Sequence, residues 1–306
     1  MHLDGDDMKR HILAVNNHKK IEDAHEKSEE YIAGHEDLNN RIFMNLDAYN
    51  SIISLVPETI EKFQSGHIFP YSESHYELES SFELCKQGFY KHSLFALRCV
   101  LELGIIGVYF DKDDKAHIEI QGWLRSEDPT PRFRKILTEL FNYKNFSEFN
   151  LKFNMKEQIE NMYSLISNHI HTRGYHFSSR KQCGSNANYF NEGSLINYIN
   201  LMEKITKAIV ILMLLKYPIR MQELPIFDKF GLNFPAGGFL DEISCIPVMN
   251  ILDKETKEAL LDISNRDPNA IEMRDAILAM PDLTEEQIKQ MMDEDEKLFS
   301  SKETRS

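Results

Sequence analysis

Four cysteines in 306 residues, with no CxxC pair among them, exclude a disulfide framework. Cys85, Cys99, Cys183 and Cys245 are read as reduced thiols. No Walker loop, GxGxxG, GxSxG, HExxH or EF-hand pattern is present, which removes the common nucleotide, hydrolase and metalloprotease readings. No charged-then-apolar leader opens the chain. The longest uninterrupted apolar run, Ala208 to Leu215, falls well short of the roughly 20 residues of a membrane helix. The expectation is a soluble, cytoplasmic protein with no membrane contact and no cofactor.

A basic surplus is also lacking, since the formal charge is −14, which argues against a protein that coats nucleic acid non-specifically. The charge is unevenly spread, however. From Asp253 to Ser306 there are 15 acidic and 8 basic residues, so half of the excess lies in the last sixth of the chain. From Pro129 to Asn191 nine basic residues face four glutamates. The middle is locally basic inside an acidic protein.

What is present is helical periodicity. Residues 1–39 are polar and read as a solvated helical arm, with His11, His18 and His25 too far apart to share a metal ion. From Asn40 to Gln64 the apolar residues keep helical spacing, and Gly66 closes that helix. Ser72 or Ser74 is expected to cap the next helix, which runs to about Gln87 and ends at Gly88. Lys91 to Phe110 is apolar nearly all round, as a buried central helix is. HIEIQGWL, residues 117–124, could be a short strand. Helices are expected at 131–142, at 155–171 and, capped by Ser194, through Lys216. After Tyr217, prolines and paired glycines predict an irregular segment, then acidic helices at 254–264 and 269–280 and a last one capped by Thr284. The fold class is all-α: an arm (1–39), a helical bundle (40–217) and an acidic, partly irregular appendage (218–306). The apolar run inside 194–216 exceeds what one neighbouring helix would cover, which predicts a homodimer.

Two polar clusters could carry chemistry. Arg98 and Glu102, four apart inside the apolar helix, can pair, and such a pair needs further polar partners when desolvated. It serves either as a register-fixing ion pair or as one wall of a site. NMYSLISNHIHTRGYHF, residues 161–177, supplies the other cluster: Asn168, His169, His171, Arg173 and His176, with Arg180 and Lys181 beyond. Asn161 to Asn191 holds no Asp or Glu, while aromatics are interleaved with the basic groups. Cations position phosphates and aromatic faces stack unpaired bases, so RNA is the expected ligand. A metal site from His169, His171, His176 and Cys183 is disfavoured, because His169 and His171 diverge by roughly 200° on a helix.

A helix ending in glycine and Phe-Tyr, then SLFALRCVLELGI, and later LISNHIHTRG, resemble the HEPN superfamily over roughly Asn40 to Tyr217. The resemblance implies a helical bundle, commonly dimeric, of a kind that includes metal-independent RNases of toxin and phage-defence systems. The family's RNase motif is an arginine followed four to six residues later by a histidine. Here Leu165, Ile166 and Ser167 stand at those distances before His171, so the motif's arginine is absent. Only His171 carries over, and Arg98 would supply the cation from a neighbouring helix. The expectation is a non-catalytic or weakly catalytic module that binds RNA, or a protein partner through its acidic C-terminal region. A metal-independent endoribonuclease using His171 with Arg98 is the alternative.

Overall fold

The structure, a computed structural model, describes residues 18–51, 65–111, 116–178, 181, 188–231 and 242–291. Among them every regular element is helical. In chain order these are α1 (His18–Ala33), α2 (Glu36–Ser51), α3 (Phe69–Lys86), α4 (Tyr90–Phe110), α5 (Ala116–Leu124), α6 (Phe133–Leu140), α7 (Lys144–Phe153), α8 (Met155–Ile170), α9 (Glu192–Lys216), α10 (Ile226–Phe230), α11 (Glu242–Asn250), α12 (Lys254–Arg266) and α13 (Pro268–Ala279). Short 3-10 turns lie at Tyr175–Phe177 and Pro218–Met221, and residues 285–291 are helical as well.

The apolar sequence of α4 places it at the centre, with α3, α8 and α9 packed around it. Pro70 sits in the first turn of α3, where a missing N–H costs nothing. Gly88, at φ 76°, turns the chain back so that α3 and α4 form an antiparallel pair. That pair packs closely at Gly107, where an added Cβ would lie 2.4 Å from the buried Tyr71 ring. Buried hydroxyls tie the layers together. Tyr49 Oη donates to Ser74 Oγ at 2.9 Å, and Ser74 Oγ donates to the Tyr71 carbonyl at 2.8 Å. Tyr198 Oη of α9 donates to Ser81 Oγ, which donates to the Ser93 carbonyl at 2.7 Å. By length and composition α4 could cross a membrane; here its apolar surface is largely enclosed by other helices.

Several expectations change. The 117–124 stretch is helix α5, because no strand is at hand among the described residues to satisfy an extended backbone, and the helical spacing puts Ile120 fully inside while Ile118 stays exposed. Ser74 caps nothing, since α3 begins a turn earlier and buries it. Asn191, rather than Ser194, caps α9, its Oδ1 accepting from the Ser194 N–H at 2.8 Å. α7 and α11 form where no helix was expected: Phe146 and Phe149 bury one face of α7, and Val248 is fully buried in α11 despite Pro247. Residues 52–64 of the helix expected from Asn40 to Gln64 lie outside the described residues, and α2 already starts at Glu36. Thr284 does act as a cap, its Oγ1 accepting from the Gln287 N–H at 3.3 Å.

The apolar core does not stop at the expected boundaries. Ile32 of α1 and Val248, Leu252, Leu260 and Ile263 near the C-terminus belong to the same cluster as α4 and α9. α1 is thus not wholly solvated, since Ala24, Ser28 and Ile32 are buried and Ser28 Oγ donates to the Lys86 carbonyl at 2.8 Å. Residues Ala208–Leu215 are covered within the chain itself, so the surplus that argued for a dimer face is already used. The acidic helices dock through buried Leu260 and Ile263 and through polar contacts. Asp253, which caps α12, pairs with Lys207 of α9, Asp267, which caps α13, accepts from Asn145 Nδ2 at 2.9 Å, and Lys152 of α7 meets Glu255 at 3.1 Å.

Candidate nucleic-acid interface

Arg98 and Glu102 pair as their spacing requires, with Nε to Oε1 at 2.9 Å, but at the edge of α4 rather than in its core. Their side chains are 22% and 33% exposed. The third member is Tyr163 of α8. The Arg98 guanidinium lies 4.6 Å from that ring's centroid and donates to its hydroxyl, and Phe133 stacks on the same ring at 4.0 Å. Burial raises the Tyr163 phenol above its usual range, against the opposing pull of Arg98, so it stays protonated. A cation held against a stacked aromatic ring and paired with a carboxylate is a structural clamp between α4 and α8.

The histidine cluster is elsewhere. α4 and α8 run antiparallel, so Arg98 meets Tyr163 while Lys91, seven residues earlier, donates to Thr172 Oγ1 just past the end of α8. Seven helical residues span about 10 Å, which separates Arg98 and Glu102 from the turn that carries His171. The two polar clusters do not form one site within the chain.

α8 ends at Ile170, with His171 as its C-cap residue, Thr172 at φ 44° and the Arg173 N–H returning to the Asn168 carbonyl at 3.0 Å. Past Gly174 the 3-10 turn folds back, setting Phe177 edge-on to His169 (5.0 Å) and to His176 (5.1 Å). His169 is thereby half-buried, whereas His171, Arg173, Tyr175 and His176 are exposed. Burial lowers the His169 pKa below the ordinary imidazole value, and His176 and Lys91 act in the same direction. Asn168 is half-buried, with the Arg173 guanidinium 3.5 Å from its Oδ1. Arg180 lies outside the described residues.

Between this turn and α9 runs a groove of about 470 Å³. His169, His176 and Lys181 line one side and Ser194, Asn197, Asn200 and Lys204 the other, over a floor of Tyr90, Leu94 and Tyr198. Among the described residues no Asp or Glu lines it. Lys204 escaped the sequence reading, although Asn197, Asn200 and Lys204 form a polar stripe at helical spacing along an otherwise apolar helix. Lys91 escaped as well, because it does not stand out within its own segment, and Tyr163, one of the aromatics expected to stack bases, is instead taken up by Arg98. Among the described residues no three His, Cys, Asp or Glu side chains converge as a metal site. No family model, curated protein or solved structure matches the chain.

The clamp's exposure sets the size of its effect. Arg98→Ala removes a partly exposed ion pair and a cation–π contact, and is expected to cost about 1–2 kcal/mol in urea unfolding. A loss above about 3 kcal/mol would show instead that the pair behaves as a buried one. His171→Ala, on an exposed turn, is expected to leave the midpoint unchanged.

Proposed function

We propose that this chain is a non-catalytic helical module that holds single-stranded RNA in the groove between the end of α8 and α9. The observation that carries this reading is a groove wall of His169, His176, Lys181 and Lys204 with no carboxylate among the described lining residues, in a protein whose net charge is −14. Anionic ligands are attracted locally while the rest of the surface repels them. Tyr175, exposed beside His176, offers a face on which a base can stack. The separation of Arg98 from His171 favours binding over cleavage, since metal-free cleavage needs a base and a cation at one phosphate. The likeness to HEPN bundles makes bacterial antiviral or stress defence the proposed setting.

Proton linkage gives a test. A bound phosphate favours the imidazolium of His169, so binding takes up a proton and affinity rises as pH falls. Fluorescence anisotropy with a labelled single-stranded RNA at low salt is expected to show Kd falling about 3- to 10-fold from pH 8 to pH 6, with the RNA recovered intact. Absence of binding, or an affinity independent of pH, would overturn the reading. RNA cut without metal would point to the endoribonuclease alternative.

A further inference from the structure

The α9 wall of the groove holds one side chain whose orientation is fixed from behind. Arg41 of α2 lies outside the groove, but its guanidinium reaches Asn200, which lines it: Arg41 Nη2 donates to Asn200 Oδ1 at 2.8 Å. The guanidinium is itself held by both oxygens of Glu203, Nε to Oε1 at 2.9 Å and Nη2 to Oε2 at 2.7 Å. A guanidinium has donors only, so it takes the oxygen end of an amide and never the nitrogen end. Asn200 therefore cannot flip. Its Nδ2 has no partner among the described residues and is not one of the sealed polar atoms of the interior. Asn197, one turn earlier, has no such anchor among the described residues and can present either end of its amide.

We infer that Asn200 makes the groove prefer the keto bases, uracil and guanine, over the amino bases, cytosine and adenine. The inference rests on the reading of the groove as a single-stranded RNA site and adds a base preference to it. With its oxygen turned out to Arg41, Asn200 offers a base only N–H donors. Lys181 and Lys204, on the two walls, also donate and never accept. Uracil O4 or guanine O6 accepts from such a donor, whereas the amino group at the same position of cytosine or adenine meets it donor to donor and leaves both unsatisfied. Phosphate contacts made by the lysines hold the strand without reading it. Arg41 touches no base; it is a positioning residue that acts through Asn200.

The test compares a short oligouridylate with an oligocytidylate of equal length, which carry the same phosphates, by anisotropy on the full chain at neutral pH and low salt. The parent is expected to bind the uridylate about 5- to 10-fold more tightly, the worth of one hydrogen bond made in place of one donor clash. Asn200→Asp is nearly isosteric, keeps the bond from Arg41 and turns an acceptor toward the groove. Both ligands should then weaken through the added charge, while the preference inverts. Arg41→Leu frees the amide to rotate and is expected to remove the preference, and Arg41→Lys, which keeps a donor, to restore part of it. Phosphate contacts are common to both ligands, so their ratio is insensitive to a lost remote charge or to a modest loss of stability. Equal affinity of the parent for the two ligands, or a preference unchanged in Asn200→Asp or in Arg41→Leu, would overturn the inference while leaving RNA binding intact. Binding of neither ligand would overturn the RNA reading itself, and this inference with it.

Discussion

Gly107→Val is expected to be the most damaging single substitution in the centre of the bundle, lowering stability by about 3 kcal/mol and the melting temperature by about 6–12 °C. Removing a glycine from a helix interior normally helps by up to about 1 kcal/mol, so propensity alone predicts the opposite sign. Geometry decides against it. A Cβ at Gly107 would stand 2.4, 2.6 and 2.8 Å from three atoms of the Tyr71 ring, and that ring is itself 2% exposed and has no room to withdraw. Relief requires α3 and α4 to move apart, which loosens the contacts of the whole pair. Gly193, in the first turn of α9, is the control, since its nearest obstacle is Asn191 Oδ1 at 3.6 Å. Gly193→Ala is therefore expected to melt at or slightly above the parent temperature. A Gly107→Val protein that melts with the parent would show that the pair is not packed as described.

The helices were legible where apolar residues recur at helical spacing over many turns, as in α4, α8 and α9. Short elements were less so. α5 carries its message in one buried residue, Ile120, and the alternation of HIEI resembles a strand until one asks where its backbone would find partners. α7 is rich in Asn and Lys, and only Phe146 and Phe149 mark its inner face. α11 holds a proline, and burial of Val248 against the bundle outweighs that local preference. The same logic governs the site. The i,i+4 spacing of Arg98 and Glu102 stated that they pair, but their depth depends on what covers that side of α4, and Tyr163 of α8 supplies the cover. The acid-free run from Asn161 to Asn191 stated where cations gather. It could not name Lys204, which reaches the groove from α9.

Charge reversal in the groove tests the central claim most directly. Lys181 and Lys204 lie on opposite sides of the groove, and neither belongs to the apolar core, so the Lys181→Glu/Lys204→Glu protein is expected to fold normally. As control, Lys135→Glu/Lys156→Glu makes the same change of charge near the start of α8, thirteen residues or about 20 Å along that helix from His169. Beyond a Debye length of about 10 Å, such remote charges act weakly. The measurement is single-stranded RNA affinity across a salt series for the parent and both variants. The account predicts that the groove variant loses about 10- to 100-fold in affinity at low salt and that its salt slope falls by about 1.4, the loss of two phosphate contacts, while the control stays close to the parent. Equal weakening of both variants, or a groove variant that binds as tightly as the parent, would contradict it.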